Sequence, residues 1–462
     1  MRQRRRWRVR GTVQGVGFRP FVYRRAVALE LTGWVGNDGE GVVIEAEGEG
    51  ESLDALHRAL LDDPPPLALV EAVESHPLVA TGGAGFVVAP SGSDGATDVP
   101  VSADVAPCTA CLAELADPDD RRYRYPFVNC TDCGPRYTIV RDVPYDRPAT
   151  TMAGFRMCER CQREYDDPAD RRFHAQPNAC PTCGPRLHWT SSDQEATGSD
   201  ALAVAVDCLR GGGVVAVKGV GGYHVTCDAG NRSAVLALRT RKHRDAKPLA
   251  VMVADVTTAQ QLCELDAAAL RALVSPRRPV VLAPRRPDAA VVAEVAPGLA
   301  ELGVMLPSSP LHELLLGELA RPLVMSSGNV SDEPVAHDDA DALRILAPLV
   351  DGILRHDRPI QIRADDSVLR TAGGGRVQML RRARGWVPQP IRLPIAARQP
   401  VLAVGAQLKS TVALGRGSSV VVSHHLGDLE HWPTYAAFLQ AIEHLTRLAH
   451  HQPALVAHDL HP

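Results

Sequence analysis

Four Cys-x-x-Cys pairs between residues 108 and 183 constrain the fold of this chain more than any other feature. They contain eight of its eleven cysteines, namely Cys108/Cys111, Cys130/Cys133, Cys158/Cys161 and Cys180/Cys183. The segment is an internal repeat, because a shift of 50 positions places Asp120-Arg121-Arg122 on Asp170-Arg171-Arg172. A fold built on this segment therefore consists of two copies of one small unit.

The spacing within each copy is that of a four-cysteine zinc ribbon, with 18 residues between the two pairs. Zn²⁺ takes about four soft ligands near 2.3 Å, and such a site contributes roughly 10–16 kcal/mol to folding. Disulfides are disfavoured because no apolar leader follows the basic residues 1–6, which predicts a reducing compartment. A redox-active pair is disfavoured because it would not occur four times in a repeat. We predict two structural zinc sites. Catalysis by the metal is not expected, because four thiolates leave no open coordination position.

Length and composition exclude several classes of protein. A chain of 462 residues predicts three or four domains, and the absence of any run of 18 apolar residues predicts no membrane span. The net charge of −4 disfavours a general nucleic-acid coat. We expect a soluble, cytoplasmic protein with no nucleic-acid or membrane partner.

Residues 1–91 predict a first domain with the order βαββαβ, which indicates a ferredoxin-like sandwich. The glycine-rich segment 11–18 ends a strand and opens a helix, an arrangement that points backbone N–H groups at a phosphate. Arg19 would hold that phosphate bidentately, and Asn37 would orient a water. The alternative is a plain glycine turn with a surface arginine.

The glycine-rich segment with Arg19 and the strand that ends at Asn37 both resemble acylphosphatase, and the resemblance extends over nearly the whole domain. The resemblance implies that Arg19 binds an acyl phosphate and that Asn37 positions the attacking water. It makes these two residues the candidate catalytic pair.

Residues 91–107 predict a polar linker, which overlaps the start of the zinc region at residues 104–188. Residues 191–200 are expected to be weakly structured. Residues 198–386 then predict an α/β domain with a buried strand at 214–218. Lysine is rare in this chain, yet three of its four lysines, Lys218, Lys242 and Lys247, lie in this domain within 30 residues of each other. A lysine kept against a strong arginine bias indicates a need for a compact point charge.

The basic block at residues 239–247 leads directly into an apolar strand, which favours a triphosphate site in a cleft. A solvated basic helix end is the alternative. The candidate residues resemble those of the YrdC-type adenylating domain: Lys218, Arg241, Lys242, Arg244, Lys247, Ser326, Ser327 and Asn329. The resemblance implies that they bind ATP and a carbamoyl-adenylate, with Mg²⁺ as a further cofactor.

One departure from that family is informative. The tRNA-modifying branch has a Pro-Thr-Asp/Glu-Thr sequence after the first strand, whereas this chain has Lys218 to His224 in that place. The sequence of this segment is similar to that of the hydrogenase-maturation branch of the family.

Residues 387–400 contain four prolines and predict a second linker. Residues 400–462 then show a βββαβ order that resembles the beginning of an actin-like, Kae1-type carbamoyltransferase domain. The rest of such a domain is not in the sequence, so we expect a C-terminally truncated form.

The order of these four parts resembles the HypF carbamoyltransferase family of [NiFe]-hydrogenase maturation. That resemblance implies hydrolysis of carbamoyl phosphate, formation of carbamoyl-adenylate from ATP, and transfer to the C-terminal cysteine of HypE. Two alternatives stay open. One is a tRNA-modifying threonylcarbamoyl-AMP synthase, and the other is a nucleic-acid-binding protein that reads its target with zinc ribbons.

Some residues have weaker assignments. The isolated cysteines are predicted to be small buried apolar groups: Cys208, Cys227 and Cys263. His224 and His243 lie near the predicted ATP site in sequence. The segment Asp365-Asp366-Ser367 would either serve that site or cap a turn.

Overall fold

The computed structural model describes residues 2–38, 41–89, 101–143, 145–330, 333–405, 407–450 and 452–460. No helix in these ranges combines the length and the apolarity that a membrane span requires.

The first domain is a sheet covered by two helices, and it confirms the ferredoxin-like fold. Its elements are β1 (Gln3–Thr12), α1 (Phe18–Ala28), β2 (Thr32–Asp38), β3 (Gly41–Gly48), α2 (Gly50–Asp62), β4 (Leu69–Leu78) and β5 (Phe86–Val88). The sheet order is β4-β1-β3-β2-β5, in which β5 joins the sheet parallel to β2. The core is formed by the apolar faces of both helices and of the central strands, with Trp7 completely buried.

The zinc region contains little regular structure. It has two short helices, α3 (Thr109–Ala116) and α4 (Glu159–Asp166), and 3₁₀ turns at Tyr137–Ile139, Arg147–Ala149 and Thr151–Gly154. Each helix begins directly after the first cysteine of its repeat, so the second cysteine of that pair lies on the first turn. The two halves therefore present their thiols in the same way.

The α/β domain is built around one long mixed sheet. Its elements in chain order are β6 (Leu187–Thr190), β7 (Glu195–Thr197), α5 (Gly198–Arg210), β8 (Val215–Lys218), β9 (Tyr223–Asp228), α6 (Arg232–Arg241), β10 (Ala250–Met252), α7 (Val256–Leu262), α8 (Ala267–Val274), β11 (Val280–Pro284), a 3₁₀ turn (Ala293–Val295), β12 (Glu301–Met305), α9 (Pro310–Leu319), β13 (Leu323–Ser327), α10 (Asp339–Leu346), a 3₁₀ turn (Ala347–Leu349), β14 (Gly352–His356), β15 (Val368–Ala372) and β16 (Arg376–Arg381). The strand order is β16-β15-β11-β12-β10-β13-β9-β8-β14-β6-β7. Strand β8 is buried along its whole length between β9 and β14, as its apolar sequence predicts.

The zinc region and this sheet share one hydrophobic core. Leu115 and Phe127 from the first repeat lie in the same buried cluster as Trp189 and Leu202. Strand β6 follows the last cysteine pair directly and pairs with β14, so the sheet includes residues that precede position 198. The expectation that residues 191–200 are weakly structured is wrong where β7 and α5 form, because β7 completes a hairpin with β6.

The first predicted linker is only partly testable, because residues 90–100 lie outside the described part of the chain. Residues 101–106 are buried, which contradicts a free linker there. Asp104 is the reason, since its carboxylate accepts hydrogen bonds from the backbone N–H of Arg136 and from the Thr138 hydroxyl at 2.7 and 2.8 Å. This contact fixes the entry of the chain into the zinc region.

The second predicted linker is wrong, because most of it forms a strand. The last part of the chain consists of β17 (Ile391–Val404), β18 (Val412–Val422), α11 (Trp432–Ala449) and β19 (Leu455–His458). The pairing of β17 with β18 shifts register between Arg392 and Ala397 and again between Ala397 and Val401. Pro394 and Pro400 fall within these shifts, where the lack of an N–H costs no ladder hydrogen bond.

The predicted βββαβ order of this part is also corrected to ββαβ. Gly415 and Gly417, which lie between the second and third predicted strands, remain inside β18. Gly417 has a φ of 53° and faces Ala397 at the register shift, so it forms an irregularity in a continuous strand. The strands and α11 pack on Tyr137 of the zinc region and on Ile362 of the α/β domain.

Candidate functional site

The eight paired cysteines form two groups, each drawn from one repeat. Cys108, Cys111, Cys130 and Cys133 form the first, and Cys158, Cys161, Cys180 and Cys183 the second. Neighbouring Sγ atoms lie 3.4–3.8 Å apart in both groups. Four thiolates about 2.3 Å from one Zn²⁺ in a tetrahedron have a similar separation, whereas a disulfide is near 2.05 Å. Both groups therefore fit zinc, and the chain carries two four-cysteine zinc-binding sites.

Each zinc site is also contacted by the opposite repeat. Arg121 Nη2 lies 2.9 Å from Cys161 Sγ, and its equivalent Arg171 places Nη2 2.8 Å from Cys111 Sγ. These exchanged arginines bring positive charge to thiolates that would otherwise carry excess negative charge around the metal. The two zinc sites therefore form one interlocked unit.

The next arginine of each repeat pairs with a carboxylate in the other one. Arg122 Nη2 lies 2.5 Å from Glu164 Oε2, and Arg172 forms the equivalent pair with Glu114. Both arginines are almost fully buried, at 2% and 4% side-chain exposure. Burial alone would raise the pKa of Glu114, but its hydrogen bond and charge interactions with Arg172 lower that pKa overall.

The glycine-rich segment of the first domain forms one wall of a small cavity, here called the Arg19 cavity. Gly15 and Gly17 have φ values of 69° and 76°, and Gly17 stands directly before α1. Arg19 lines the cavity from the first turn of α1, and Arg136 and Gln176 line it from the zinc region. The zinc region thus closes over the predicted phosphate cradle.

Local contacts hold this cradle in place. Arg136 Nε donates to the carbonyl of Gly15 at 3.2 Å, and Gln14 Nε2 donates to the carbonyls of Asp38 and Gly41 at 2.9 and 2.8 Å. Burial lowers the pKa of Arg19, and the charge of Asp146 opposes that shift. Arg19 therefore lies in an environment that disfavours an unneutralised cation.

Asn37 lies on β2, next to the hairpin that Gln14 anchors. Its Oδ1 atom is buried, and no described residue donates a hydrogen bond to it. Asn37 is not among the described residues that line the Arg19 cavity. Its assignment as the water-positioning residue stays a prediction.

A cavity of about 300 Å³ opens at the ends of β9 and β13. It is here called the large cavity because it exceeds the Arg19 cavity, although a cavity of about 500 Å³ lies elsewhere, next to Arg271 and Trp386. Three of the predicted ATP-binding residues line it: Arg244, Ser326 and Ser327. His224, Asp365 and Asp366, which had weaker assignments, also line it. The sheet register explains this grouping, because Ser327 pairs directly with His224 on the neighbouring strand.

One wall of the large cavity is a buried ionic chain. His224 Nε2 lies 2.9 Å from Asp366 Oδ2, and Arg384 donates to Asp366 Oδ1 through Nε at 2.8 Å and Nη2 at 2.6 Å. Burial would raise the pKa of Asp366, but the charge of Arg384 and the bond to His224 lower it well below its ordinary value. Ser367 accepts from the Ala383 N–H and donates to the Arg384 carbonyl, so it serves the fold.

Lys242 lies at the edge of this group. Its Nζ donates to the Ser327 carbonyl and to Asn329 Oδ1, the latter at 3.1 Å. Burial lowers the pKa of Lys242 to about 7, and the nearby charge of Arg244 adds to the effect. Lys242, Ser327 and Asn329 thus form one hydrogen-bonded group, which the separate sequence segments could only suggest.

Lys218 is placed elsewhere. Its Nζ lies 2.5 Å from Asp339 Oδ1 and 2.9 Å from the His356 carbonyl, in a third cavity between the zinc region and the α/β domain. Arg241 forms an ion pair with Asp351 at 2.9 Å, and Lys247 is exposed. These three residues are not among the described lining residues of the large cavity, and their roles stay predictions.

The remaining candidates are the isolated cysteines and His243, and none of them is a described lining residue of the large cavity. Cys227 and Cys263 are buried and Cys208 is half-buried, while His243 is exposed. Sequence reasoning missed Arg136 and Arg358, which line cavities, and Asp339 and Arg384, which pair with Lys218 and Asp366. No local motif marks them, because each reaches its place from a different element of the fold.

Family models match most of the chain in separate segments. They are described as acylphosphatase for residues 5–88, HypF finger for residues 108–140 and 157–190, telomere recombination for residues 207–383, and HypF Kae1-like domain for residues 396–462. The predicted domain boundaries lie close to these segments but are not themselves tested by them.

Whole-chain relatives give the decisive comparison. The carbamoyltransferase HypF of Synechocystis is 48% identical over 458 residues, which cover 98% of this chain and 59% of the relative. HypF2 of Cupriavidus necator is 48% identical over 477 residues, covering 99% of this chain and 59% of the relative. The chain belongs to the HypF family.

A solved structure agrees with this assignment. Full-length HypF in its phosphate- and nucleotide-bound form superposes with a TM-score of 0.94 at 42% identity, covering 100% of this chain and 60% of that protein. The chain thus spans about 60% of the length of the HypF proteins that it matches. The predicted family and the predicted combination of folds are confirmed.

Proposed function

We propose that this chain hydrolyses carbamoyl phosphate and uses the released carbamate to form carbamoyl-adenylate from ATP. In the first step, carbamoyl phosphate and water give carbamate and phosphate. In the second, a carbamate oxygen attacks the α-phosphorus of ATP and pyrophosphate leaves. The observation that carries the proposal is the arrangement of the Arg19 cavity and the large cavity on one zinc-bearing body, in a member of a family whose solved relative binds phosphate and a nucleotide.

The hydrolytic step belongs to the Arg19 cavity. The backbone N–H groups after Gly15 and the Arg19 guanidinium would hold the phosphate oxygens, since both are donors suited to an oxyanion. Asn37 would accept a hydrogen bond from the attacking water through its buried Oδ1 atom. Arg136 holds the glycine segment through the Gly15 carbonyl and keeps the cradle in shape.

The adenylation step belongs to the large cavity. Arg244, Lys242 and the hydroxyls of Ser326 and Ser327 would bind the triphosphate and stabilise the charge that develops on the α-phosphoryl group. Among the predicted contacts, Lys218, Arg241, Lys242, Lys247 and Asn329 are not described lining residues and would act from the surroundings of the cavity. Lys242 adjoins the lining through the Ser327 carbonyl. Mg²⁺ would supply charge neutralisation for the leaving pyrophosphate, and the Asp365 carboxylate in the cavity wall is suited to hold it.

Carbamate decomposes in water, so we propose that it reaches the large cavity through the interior of the protein. The zinc sites would not react, because four thiolates leave no open position on the metal. Their function would be to fix the two cavities relative to each other. In the whole protein the carbamoyl group would go to the C-terminal cysteine of HypE, in the cytoplasm, where thiols stay reduced.

The proposal is tested by giving zinc-loaded protein carbamoyl phosphate and Mg-ATP without threonine, and by assaying phosphate and pyrophosphate separately. Both products are expected to form. An Arg19→Met variant should lose phosphate release by about 100-fold or more, whereas Arg58→Met, a change elsewhere on the same domain, should retain it. Absence of pyrophosphate from intact, zinc-loaded protein would contradict the proposal, and a strict requirement for threonine would favour a threonylcarbamoyl-AMP synthase.

A further inference from the structure

We propose that Arg358, together with Lys218, forms a binding site for a small planar monoanion between the Arg19 cavity and the large cavity. The site is the third cavity, here called the Arg358 cavity. If the proposed function holds, the anion is carbamate, held on its way from one reaction to the next. The proposal rests on that function for the identity of the anion, and on the geometry for the existence of the site.

The surroundings of Arg358 are unusual for a buried cation. Arg358 follows β14, only 6% of it is exposed, and it lines the cavity. Its guanidinium carbon lies 5.3 Å from the centre of the Phe127 ring of the zinc region. In the described part of the chain, no oxygen accepts a hydrogen bond from this guanidinium and no carboxylate pairs with it. None of its nitrogens is sealed off in the interior, so they face the cavity.

Among the described residues, Arg358 has no ion-pair partner, and the charges of Asp104 and Asp357 oppose only part of the effect of burial on its pKa. Lys218 is neutralised by Asp339, whose carboxylate also accepts from the Tyr223 hydroxyl at 2.7 Å. Burial lowers the pKa of His356 well below its ordinary value, so this ring is neutral. Burial lowers the pKa of Arg358 as well, which expresses the cost of keeping an unpaired guanidinium out of water. A bound monoanion would remove that cost.

The size and the donors of the cavity select a small anion. Its volume is about 20 Å³, which admits a group of a few atoms and excludes a nucleotide. Ser308 and Ser309 also line the cavity, with hydroxyls that contact His312. The planar fork of Arg358 matches the two oxygens of a carboxylate, which a point charge such as Lys218 does not. Carbamate has this carboxylate group.

The lining residues of this cavity lie close in sequence to lining residues of both of the others. Pro135 lines it, and the next residue, Arg136, lines the Arg19 cavity. On the other side Gly219 lines it, and Gly222, whose carbonyl accepts from the Gly219 N–H at 2.8 Å, lines the large cavity. Along the chain, one residue step on the first side and one tight turn on the second therefore link the lining of this site to the linings of the other two cavities.

The test compares two sources of carbamate in zinc-loaded Arg358→Met, with Arg344→Met as the control, because Arg344 is a surface arginine paired only with Asp341. In one arm carbamoyl phosphate supplies carbamate internally, and in the other freshly dissolved ammonium carbamate supplies it from solution. Arg358→Met is expected to keep its phosphate release and its pyrophosphate release from external carbamate. The pyrophosphate formed per phosphate from carbamoyl phosphate should fall by about 10-fold or more, the loss expected for one charged contact. Arg358→Lys should recover part of it.

Three results would overturn the proposal. They are an unchanged ratio of pyrophosphate to phosphate in Arg358→Met, an equal loss from both sources of carbamate, and the same loss in Arg344→Met. Zinc content and thermal unfolding identify a misfolded variant, in which case Arg358→Gln, which keeps a planar donor without the charge, replaces it. Failure of the proposed function itself would look different, because the unmodified chain would then form no pyrophosphate in either arm.

Discussion

Two arginines of the zinc region, Arg122 and Arg172, are about as buried as Arg358 but are paired differently. Arg122 and Arg172 each meet a glutamate of the opposite repeat, and Arg121 and Arg171 each meet the thiolates of the opposite zinc site. Arg358 lies over the Phe127 ring and forms no ion pair or side-chain hydrogen bond in the described part of the chain. A buried cation with a fixed partner holds a fold together, whereas one without a partner requires a ligand to offset its desolvation.

The difference separates two parts of the molecule by their task. In the zinc region the four arginines exchanged between the repeats are matched by glutamates and thiolates within the protein. Around the cavities, cations face spaces of defined size. The following predictions test this contrast, from the largest effect to the smallest.

Replacing Cys130 with serine should have the largest effect. A four-thiolate zinc site contributes roughly 10–16 kcal/mol, and the exchanged contacts of Arg121 and Arg171 should weaken the second site when the first is lost. We expect the measured zinc to fall below one ion per chain and pyrophosphate formation from carbamoyl phosphate to disappear. Phosphate release should continue at a reduced rate, because the first domain has its own core but loses the support of Arg136, which is bonded to the Cys130 carbonyl. Survival of both activities would show that the zinc region does not connect the cavities.

Removing the partner of a matched arginine should come next. Glu114→Gln leaves the nearly fully buried Arg172 without its carboxylate, and breaking a buried pair costs about 3–5 kcal/mol. Denaturant unfolding of the zinc-loaded protein measures this loss. The control is Glu443→Gln, because the exposed pair of Glu443 with Arg447 on α11 should contribute about 0.5 kcal/mol or less. Equal losses in the two variants would contradict the difference between matched and surface charges.

Nucleotide binding should depend on pH through Lys242. The lowered pKa of about 7 leaves Lys242 largely neutral above that pH in the free protein, and a bound triphosphate would raise the pKa again. ATP should therefore bind with proton uptake near about pH 8, and its affinity should rise by up to about 10-fold for each pH unit from 9 towards 7. Calorimetry in buffers of different ionisation enthalpy measures the uptake. Retention of the same uptake in Lys242→Met would refute the assignment to this lysine.

The smallest effect concerns the stability of Arg358→Met without ligand. Replacing an unpaired buried charge by an apolar group of similar length should change the free energy of unfolding by about 1 kcal/mol or less, or raise it. The same type of change at Arg172 should cost several times more, because it leaves Glu114 without its partner. A loss at Arg358 as large as that at Arg172 would mean that Arg358 is also part of the framework.

The zinc region was predictable because its information is local. Spacing alone grouped Cys108 with Cys133 and Cys158 with Cys183, and the shift of 50 positions indicated two equal units. The exchange of Arg121 and Arg171 between repeats was not predictable, since an internal repeat does not show how its two halves pack.

The α/β domain was less predictable because its sites are assembled from distant strands. The basic block did contain Arg244 and Lys242, but Lys218 lies at the opposite end of a tight turn and faces another cavity. Arg358 belongs to no sequence motif. Its site can be recognised only in the folded protein, where Phe127 of the zinc region packs against the guanidinium. The proline-rich segment before position 400 led to the wrong prediction of a linker. Register shifts in β17 accommodate its prolines, and local composition does not reveal such shifts.

The central claim is that carbamate passes between the two reactions inside the protein. The direct measurement gives the zinc-loaded chain ¹³C-labelled carbamoyl phosphate and Mg-ATP in the presence of a large excess of unlabelled carbamate. Mass spectrometry then determines the label in the carbamoyl-adenylate. Internal transfer predicts that most of the carbamoyl groups on AMP carry ¹³C. A label diluted to the proportion in solution would contradict the claim.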